Sequence, residues 1–593
     1  MFDLFSKSRF LLTVFIFKIA RKFPLGFISS IKKFRVVEIL FNLVKDEKHR
    51  ERFSYDRLQE VQNLKLRSMK LEGSPIARFI VGIKVERKNL NVLDRTLRSL
   101  EAQNYNEINI YIQADEELRS SVLSRVKVGS LSFCWIDDWS QLKPEKVGAE
   151  SYLIFMDAGD LLHENALYFI SNMSAELDLP EVLYMDSDSY DEAGRRFNPQ
   201  CKPSWSPDYF LEYPYIGKGV WFRFDSIVYC LETHKECSVN EINYCGILDL
   251  YFLKESNVDI QAVAYILYHE NLQNININLS THVKNYLDIV GKTAGFHVNY
   301  VDDFSCRRIS WGSRSRSALV SIIIPTKDRV DLLSQCVDSI CNKTTYKNYE
   351  IIVVDNNSEN PESFTYFNYL KQKPNISVIS CPGEFNFSAI NNRAVEISKG
   401  ELIAFVNNDI EVISGQWLEI MISHALRPEI GCVGAKLYYP DDTVQHGGVL
   451  IGIGGVAGHA HKNFGRRETG YMNRLTTTQN YSAVTGACLV VRKDIFESVG
   501  GFDETNLKVA FNDVDLCLKV QKLGFRNLWT PYAELYHHES VSRGDDRKGA
   551  AKKRYMREIE YMKKVWKTDT TCDLAYNPNL AVYREDFGLI TLD

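Results

Sequence analysis

Acidic and amide side chains follow two apolar segments in the second half of the sequence, where they could bind a metal ion. Asp355 ends the segment YEIIVVD, and Asn407-Asn408-Asp409 directly follow the segment LIAFV. In open α/β sheets, ligands bind beyond the carboxyl ends of the strands, so carboxylates at these ends face a cleft. Oxygen ligands of this kind suit hard divalent cations, which also bridge phosphates. A single Asp after a strand more often caps the next helix, so only the group as a whole indicates a metal site.

A second acidic pair and two histidines lie further along the chain. Asp513 and Asp515 precede a predicted amphipathic helix, where one carboxylate could cap the helix and the other could act as a general base. Taken alone, the pair is more simply explained as a double N-cap. His537 and His538 follow a predicted strand and are either metal ligands or part of a polar loop, and only the nearby aspartates favour the first interpretation.

Two similar series of predicted strands and helices position these residues, one series in each half of the chain. The strands LVSIIIP and YEIIVV of the second half correspond to FIVGIKV and INIYI of the first. The segments LIAFV and YLIFM also correspond, because Phe405 and Phe155 are 405 − 155 = 250 residues apart. Apolar strands that alternate with helices predict a mostly parallel sheet with helices on both faces. We therefore predict an α/β fold with two tandem Rossmann-like domains and an N-terminal helical extension.

The predicted boundaries divide the chain into four parts. Residues 1–72 are predicted as a basic amphipathic helical extension, and residues 73–301 as the first domain. An Arg- and Ser-rich linker covers residues 302–318. Residues 319–593 form the second domain, which ends in a basic helix. Charge runs of this last kind usually form a solvated helix face.

Composition excludes several classes of protein. The 593 residues are 45% hydrophobic and 25% charged, as in an ordinary globular protein. The net charge of −5 provides no global basic field, so we expect no nucleic-acid partner. The 13 cysteines include no CxxC pair, which argues against a zinc ribbon or a disulfide-rich secreted scaffold. Reduced thiols in the cytoplasm fit this pattern.

The first residues of the chain are basic and rich in aromatic side chains. The apolar run FLLTVFIF is eight residues long, whereas a spanning helix needs about 20 apolar residues. No small-residue cleavage site follows the run, so a signal peptide is not expected. Residues 1–35 suit a helix on an anionic membrane surface, and a helix packed on the protein's own core is the alternative. The predicted location is cytoplasmic, with peripheral attachment to the inner face of the cytoplasmic membrane as a candidate.

A set of segments in the second half resembles the family 2 glycosyltransferases of the GT-A fold. The segments are VSIIIPTKDR, YEIIVVDNNS, FNFSAINNRAV, LIAFVNNDIEV, VTGACLVVRKDIFESVGGFDE and FNDVDLCLKVQKLGFR. The likeness covers nearly all of residues 319–592 and is closest to bacterial tandem-domain enzymes that assemble O-antigen, capsule or rhamnose-rich polysaccharide. It implies tandem GT-A-like domains and a metal-dependent inverting transfer from a nucleotide-sugar donor to a glycan or lipid-linked glycan acceptor. Rhamnose is a candidate sugar, and Mn²⁺ or Mg²⁺ the implied cofactor.

The resemblance also implies roles for particular residues. The nucleotide-sugar donor would contact Thr326, Arg329, Asp355, Asn407 and Asn408. Asp409 and His537 would bind the metal ion, with His538 as the alternative ligand. Asp513 would deprotonate the acceptor hydroxyl with support from Asp515. The acceptor side would include Gly486, Ala487 and Trp205. Asn407 replaces the first acid of the family's DxD motif, and an amide binds a metal ion more weakly than a carboxylate.

Alignment of the two repeats predicts that the first has lost part of this machinery. At the positions of Asp355, Asp409 and Asp513 it has Ala114, Gly159 and Ile247. Asp157 remains opposite Asn407, and Asp160 follows it. We predict a degenerate transferase domain that binds acceptor glycan or positions the second domain. A second active site with shifted residues is the alternative.

A glycine-rich segment precedes the acceptor-side residues. It reads HGGVLIGIGGVAGHAHKNF and does not have the context of a phosphate-binding loop. We interpret it either as a lid over the donor, in which His459 and His461 touch substrate, or as a structural hairpin.

Two other functions compete with a single-site transferase. One is a non-catalytic glycan-binding or scaffold protein of an assembly complex, against which the intact acidic residues of the second half argue. The other is a bifunctional polymerase, against which the replacements in the first repeat argue. The sequence carries no signal for an oligomeric state.

Overall fold

The computed structural model describes ten ranges of the chain. They are residues 47–68, 77–126, 132–142, 151–235, 237–253, 258–272, 280–300, 306–312, 317–538 and 549–590. The chain forms two compact units, of which the first comprises Met1–Lys65 and Leu589–Asp593 and the second Leu66–Gly588. Helix α1 (Glu47–Ser68) begins in the first unit. The predicted membrane-surface segment, residues 1–35, lies outside the described residues. None of the described helices is both long and apolar enough to cross a membrane.

A nine-stranded sheet forms the first repeat among the described residues. Its strands are β1 (Arg78–Val85), β2 (Ile108–Ala114), β3 (Phe133–Ile136), β4 (Ser151–Asp157), β5 (Leu161–Leu162), β6 (Val182–Tyr190), β7 (Arg196–Gln200), β8 (Val220–Arg223) and β9 (Ile260–Asn271). The helices of this repeat are α2 (Leu93–Glu101), α3 (Glu116–Val126), α4 (Ala166–Glu176), α5 (Pro207–Glu212), α6 (Phe224–Thr233), α7 (Val239–Leu253) and α8 (Thr281–Ala294). A hairpin of β10 (Phe296–Tyr300) and β11 (Arg307–Trp311) follows.

The second repeat contains a ten-stranded sheet and a separate hairpin in the part of the chain that the structure describes. The strands are β12 (Val320–Thr326), β13 (Tyr349–Asp355), β14 (Ile376–Ser380), β15 (Leu402–Val406), β16 (Ile410–Val412), β17 (Ile430–Tyr438), β18 (Val444–His446), β19 (Val449–Ile451), β20 (Ala457–His459), β21 (Gln479–Asn480), β22 (Cys488–Arg492) and β23 (Arg526–His537). The helices are α9 (Val330–Lys343), α10 (Pro361–Leu370), α11 (Phe387–Ile397), α12 (Trp417–Ala425), α13 (Lys493–Ser498), α14 (Asn512–Lys522) and α15 (Gly549–Trp566).

The two sheets have the same strand order. The first runs β3-β2-β1-β4-β8-β6-β9-β5 and the second β14-β13-β12-β15-β22-β17-β23-β16. Four neighbouring strands are parallel in each, and one antiparallel strand, β8 or β22, then separates them from a second parallel pair. The predicted α/β fold with two tandem, similar sheets is therefore confirmed. The sequence did not indicate the inserted antiparallel strand, because the apolar pattern of a segment is the same for a parallel and an antiparallel strand.

Buried aliphatic residues explain why the parallel strands form. Strand β12 contributes Ile322 and Ile324 to the core and its neighbour β13 contributes Ile351 and Val353, all of them fully buried. Helices cover both faces of such a sheet, so its strands are apolar at nearly every position rather than at alternate positions. This covering also directs the polar residues to the strand ends.

The segment between the repeats is partly a strand. Residues 302–318 are predicted as a linker, yet β11 pairs with β10 in antiparallel register. Phe296 lies opposite Trp311 at one end of the hairpin, and Tyr300 lies opposite Arg307 at the other. Arg307 donates through Nε to the carbonyl of Leu211, which ties the hairpin to the first repeat. The domain boundaries themselves stay a prediction, since both repeats lie in one compact unit.

Buried polar contacts join the two repeats. Asp208, in α5, forms an ion pair with Arg427, which follows α12, and both side chains are almost fully buried. Arg427 also contacts Glu429 at 2.7 Å. Near the end of the chain, Asn577 returns to the first repeat and donates to Asp186 at 2.9 Å. The two sheets are therefore held together by charge pairs and not by apolar contact alone.

Replacement of Asp208 by Asn tests the ion pair between the repeats. In Asp208→Asn, Arg427 stays buried and the partly exposed Glu429 is the carboxylate it still pairs with, so we expect the free energy of unfolding to fall by about 3 kcal/mol. Glu429→Gln changes the other partner of the same arginine and should cost about 1 kcal/mol or less. Urea unfolding at neutral pH measures both variants.

The contribution of this pair depends on pH in a defined direction. Burial alone would raise the pKa of Asp208, but the charge of Arg427 lowers it from 3.8 to about 2. The stabilisation is therefore complete above about pH 4 and is lost as the pH falls through about 2. A stability difference between wild type and Asp208→Asn that stayed constant over this range would contradict the assignment.

Candidate active site

The carboxyl ends of β12 and β13 form one wall of the candidate site. The two strands are parallel, and Thr326 pairs with Asp355 at their last residues. Both residues are buried, and Oδ1 of Asp355 accepts a hydrogen bond of 2.9 Å from the N–H of Ser358. The segment D-N-N-S after the strand thus makes a turn that orients the carboxylate. The structure brings these two predicted donor-binding residues together.

The loop Asn407-Asn408-Asp409 connects β15 to the short strand β16 and lies beside this wall. Nδ2 of Asn408 donates to Oγ1 of Thr326 at 3.1 Å. On the other side, the N–H of Asn407 donates to the carbonyl of Ala487 at 3.0 Å. The loop is therefore fixed between strand β12 and the segment that precedes β22.

Asp409 lies next to His537 because β16 pairs with the end of β23. Ile410 is opposite His537 in the antiparallel register, and Oδ1 of Asp409 is 3.2 Å from Nε2 of His537. Both side chains are buried. Burial alone would raise the pKa of Asp409, but the close contact with His537 and the charge of that residue outweigh burial and lower the pKa. The amide of Gln445 lies 2.8 Å from Nδ1, so this ring nitrogen is occupied and Nε2 faces the loop.

His538 points away from this pair. Its Nε2 lies 3.2 Å from Oε2 of Glu411, to which Gln335 also donates at 2.7 Å. Successive side chains of a strand alternate between its two faces, so His537 and His538 cannot both reach Asp409. Of the two histidines, the structure places His537 at the loop.

The residues around Asp409 fit a hard divalent cation. Within the described part of the chain, Oδ1 of Asp409 is buried and has no hydrogen-bond partner in acceptable geometry. Nδ2 of Asn407 lies 3.4 Å from Nε2 of His537, so an amide group is also within reach. Carboxylate, amide and imidazole groups are the ligands that Mn²⁺ and Mg²⁺ accept. The donor set therefore suits the ion that the sequence predicts.

Asp513 lies in the first turn of α14, against Gly486. The N–H of Gly486 donates to Oδ2 at 2.8 Å, and the N–H of Val514 donates to Oδ1 at 2.9 Å. Phe511 starts the helix in the left-handed region, with a φ of 60°. A side chain at position 486 would bring its Cβ to 3.3 Å from the Cβ of Asp513, so the close approach favours glycine.

Asp515 lies on a different side of α14. Its Oδ1 accepts a hydrogen bond of 2.8 Å from Nε1 of Trp566, the last residue of α15, and its Oδ2 is 3.1 Å from Nζ of Lys519. The carboxylate is buried by these contacts. Asp515 therefore fixes α15 against α14.

Arg329 and Trp205, which were also predicted for the site, make contacts outside the group of residues described above. Arg329 follows β12 with a φ of 48° and pairs with Asp331 at 2.7 Å. That hydrogen bond raises the pKa of Arg329, and the charge of Asp409 adds to the effect. Trp205 packs against Phe210 at 5.3 Å between ring centroids and is not brought to the cluster.

The glycine-rich segment forms a hairpin. Strands β19 and β20 pair in antiparallel register, with a 3-10 turn at Ile453–Gly455 between them. His461 is fully buried and stacks on Phe587 at 4.2 Å between ring centroids. Its ring therefore belongs to the core and does not face a donor.

In the first repeat, a buried lysine lies at the position that corresponds to the candidate metal site of the second repeat. Nζ of Lys218 is 2.7 Å from Oδ2 of Asp157 and 2.7 Å from Oδ2 of Asp160. Burial alone would lower the pKa of Lys218, but the charges of Asp160 and Asp157 raise it above its usual value. The charge of Glu270 acts in the same direction.

Strand registers define the correspondence. Ile154 pairs with Trp221 in the first sheet as Ala404 pairs with Val490 in the second, so the offset of this strand is 490 − 221 = 269. By this offset Lys218 corresponds to Ala487. In the same way, the pair of Leu161 and His269 in the first sheet corresponds to the pair of Glu411 and Tyr536 in the second. The residue after His269 is Glu270 and the residue after Tyr536 is His537, so Glu270 corresponds to His537. An internal ammonium thus lies where the second repeat has its candidate metal ligands.

Sequence reasoning missed both Lys218 and Gln445. Lys218 lies in the segment G-K-G before a strand, and its role depends on carboxylates 58 and 61 residues earlier in the chain, at Asp160 and Asp157. Nothing in the local pattern indicates that contact.

Comparison with known proteins identifies relatives of the chain. The model for glycosyl transferase family 2 matches residues 321–500. Protein y4gI of Sinorhizobium fredii is 40% identical over 463 residues, which cover 75% of this chain and 50% of that protein. The O-antigen biosynthesis protein RfbC of Myxococcus xanthus is 33% identical over 458 residues, or 73% of this chain and 34% of that protein. The chain therefore spans half or less of the length of these two relatives.

A solved structure also aligns with the chain. It is a mannosyltransferase from Pyrobaculum calidifontis in complex with GDP-Man and Mn²⁺. The alignment covers 44% of this chain and 68% of that one, with 16% identity and a TM-score of 0.32.

Removal of the buried ammonium should destabilise the first repeat. In Lys218→Met, Asp157 and Asp160 stay buried without their cation, so we expect the free energy of unfolding to fall by about 3–5 kcal/mol. Lys235→Met, at an exposed lysine of the same repeat, should change it by about 0.5 kcal/mol or less. Urea unfolding compares the two variants, and a Lys218→Met protein as stable as wild type would contradict this account.

Proposed function

Because residues 321–500 form a glycosyl transferase family 2 domain, we propose that the chain is a metal-dependent inverting glycosyltransferase. It transfers a sugar from a nucleotide-sugar donor to a glycan or lipid-linked glycan in bacterial surface polysaccharide synthesis. The O-antigen biosynthesis protein among its relatives supports the pathway class. Rhamnose is the first sugar to test, on the resemblance alone.

One observation carries the proposal: two consecutive residues connect the candidate base to the candidate metal ligands. Gly486 donates to Asp513 at 2.8 Å, and the carbonyl of Ala487 accepts from the N–H of Asn407 at 3.0 Å. Consecutive Cα atoms are about 3.8 Å apart, so this connection keeps the candidate base close to the loop that carries the candidate metal ligands. Such spacing suits an acceptor on one side of the anomeric carbon and a diphosphate on the other.

The donor is assigned to the strand ends on the metal side. Asp355, Thr326 and Asn408 form a continuous polar wall for the nucleotide, with Arg329 at its edge. Asp409 and His537 would hold Mn²⁺ or Mg²⁺, with Asn407 beside them. When bound there, the ion supplies positive charge that stabilises the leaving diphosphate.

The acceptor reacts on the other side of Gly486. Asp513 takes the proton of the acceptor hydroxyl as its oxygen bonds to the anomeric carbon of the donor. The bond from that carbon to the diphosphate oxygen breaks, and the diphosphate leaves with its electron pair. Two N–H groups donate hydrogen bonds to the Asp513 carboxylate and hold it in place. A single displacement of this kind inverts the anomeric configuration.

The first repeat is proposed to bind the acceptor or to position the second repeat. The ammonium of Lys218 between Asp157 and Asp160 supports this assignment over a second metal-dependent active site, because a cation is already present there. The proposed place of action is the cytoplasmic face of the membrane. All 13 cysteines are free, as expected in a reducing compartment.

Substitutions at the metal ligands should separate His537 from His538. We expect Asp409→Asn and His537→Ala to lower metal-dependent release of nucleoside diphosphate by at least about 100-fold, since each removes a ligand. His538→Ala is the matched control and should stay within about threefold of wild type. The assay is nucleoside diphosphate release with Mn²⁺ across a panel of nucleotide-sugars, including a deoxythymidine diphosphate donor. Loss of release in His538→Ala but not in His537→Ala would reverse the assignment.

Substitution of Asp513 should block the chemical step without blocking donor binding. We expect Asp513→Asn to lower the turnover number by about 10²–10⁴-fold, because an amide cannot accept the proton. Asp494→Asn, at an exposed carboxylate in the first turn of α13, is the control and should be unchanged. Calorimetric binding of the nucleotide-sugar should be the same in all three proteins. An active Asp513→Asn enzyme would show that another group is the base.

A further inference from the structure

Histidine and cysteine side chains converge in the first repeat, outside the proposed active site. They lie where α6 ends and where α7 and α8 begin. The cluster consists of His234, Cys237, Cys245 and His282, with Cys230 and Asp249 beside it. We propose that the first four residues bind one Zn²⁺ ion that fixes these three helices to one another.

The ligand atoms of three of the four residues are already close enough for a single ion. Nδ1 of His234 is 2.9 Å from Nε2 of His282, and the ligand atoms of His234, Cys237 and His282 all lie within 4.8 Å of one another. Cys245 contacts the thiol of Cys237. Zinc bonds of about 2.0–2.3 Å place tetrahedral ligands about 3.3–3.8 Å apart. His234, Cys237 and His282 therefore need only small side-chain shifts, and Cys245 would have to move toward these three residues.

Asp249 stands behind His234 in the manner of an outer-shell carboxylate. Its Oδ2 is 3.4 Å from Nε2 of His234, the ring nitrogen that faces away from His282. Across the described residues, these two buried atoms have no hydrogen-bond partner in acceptable geometry. Tyr286 donates to Oδ1 of the same carboxylate. A carboxylate that accepts from one ring nitrogen orients the other nitrogen toward a metal ion.

The ligand types select zinc over the ion of the proposed active site. Two thiol groups and two imidazoles form a soft donor set, which favours Zn²⁺ and disfavours Mg²⁺ and Mn²⁺. Four protein ligands leave no open position, so the site is structural. The spacing C-x₇-C between Cys237 and Cys245 differs from that of a zinc ribbon, so the sequence alone does not indicate a zinc site at these residues.

The position of the cluster between three helices indicates the structural role of the zinc ion. Cys237 lies in the short connection between α6 and α7, Cys245 lies within α7, and His282 is in the first turn of α8. Apart from this cluster, α8 packs into the core through Val283 and Leu287, and the N–H of Ser280 before α8 donates to Oε1 of Glu241 in α7 at 3.0 Å. The ion would thus anchor the exposed end of α8.

Metal analysis of the full chain tests the proposal directly. Purified protein, dialysed against metal-free buffer, should retain one zinc per chain in the wild type and in Asp409→Asn, which lacks a ligand of the other proposed site. Replacement of zinc by Co²⁺ should produce the visible bands of a tetrahedral ion and the near-ultraviolet bands of thiolate-to-cobalt charge transfer.

Variants distinguish this site from fortuitous binding. Cys237→Ser removes one of the two thiolates and should lower the intensity of the charge-transfer bands by about half, and Asp249→Asn should weaken zinc affinity by about 10–100-fold. His282→Ala changes an exposed side chain, and it should weaken zinc affinity at least tenfold while the circular dichroism spectrum stays native. The controls are Cys134→Ser and His297→Ala, both exposed in the same repeat, and they should match wild type. A folded wild-type chain without zinc and without cobalt bands would overturn the proposal, as would zinc affinity unchanged in His282→Ala.

Discussion

The pairing of Ile410 with His537 is the contact on which the candidate site depends. It joins a three-residue strand to the last residue of a twelve-residue strand, and it sets Asp409 against an imidazole. Backbone hydrogen bonds fix this register, and a shift of one residue would replace His537 by His538, which points to the other face. The loop before the strand, the wall made by Thr326 and Asp355, and the contact to Ala487 all follow from the same arrangement of strand ends.

The two repeats place positive charge at this edge in different ways. In the second, the buried residues Asp409 and His537 are the proposed ligands of an exchangeable divalent ion. In the first, a lysine from the start of β8 reaches the same place and pairs with Asp157 and Asp160. A covalently attached ammonium satisfies buried carboxylates permanently, but it cannot adjust to a phosphate group as a metal ion does. One sheet architecture thus supports a proposed catalytic repeat and a repeat in which the same edge has become part of the core.

The sequence predicted the features that depend on local pattern. Apolar segments followed by Asp355 and by Asn407-Asn408-Asp409 gave the strands, their ends and the repeat, because burial and period are local properties. Contacts between residues that are far apart in the chain could not be predicted from the sequence. Asp515 was grouped with Asp513 by sequence proximity, yet it binds Trp566, 51 residues away. The direction of a side chain on its helix or strand determines which partner it contacts. That direction depends on tertiary packing, which cannot be derived from a single sequence.

The central claim is that a divalent ion binds at Asp409 and His537 of the second repeat and that no such ion binds in the first. The most direct test is anomalous diffraction at the manganese absorption edge, on crystals of the full chain grown with Mn²⁺ and a nucleoside diphosphate. This account predicts a manganese peak beside Asp409 and His537, next to the diphosphate, and none beside Lys218. A manganese peak at Asp157 and Asp160, or a bound diphosphate with no manganese near Asp409, would contradict it.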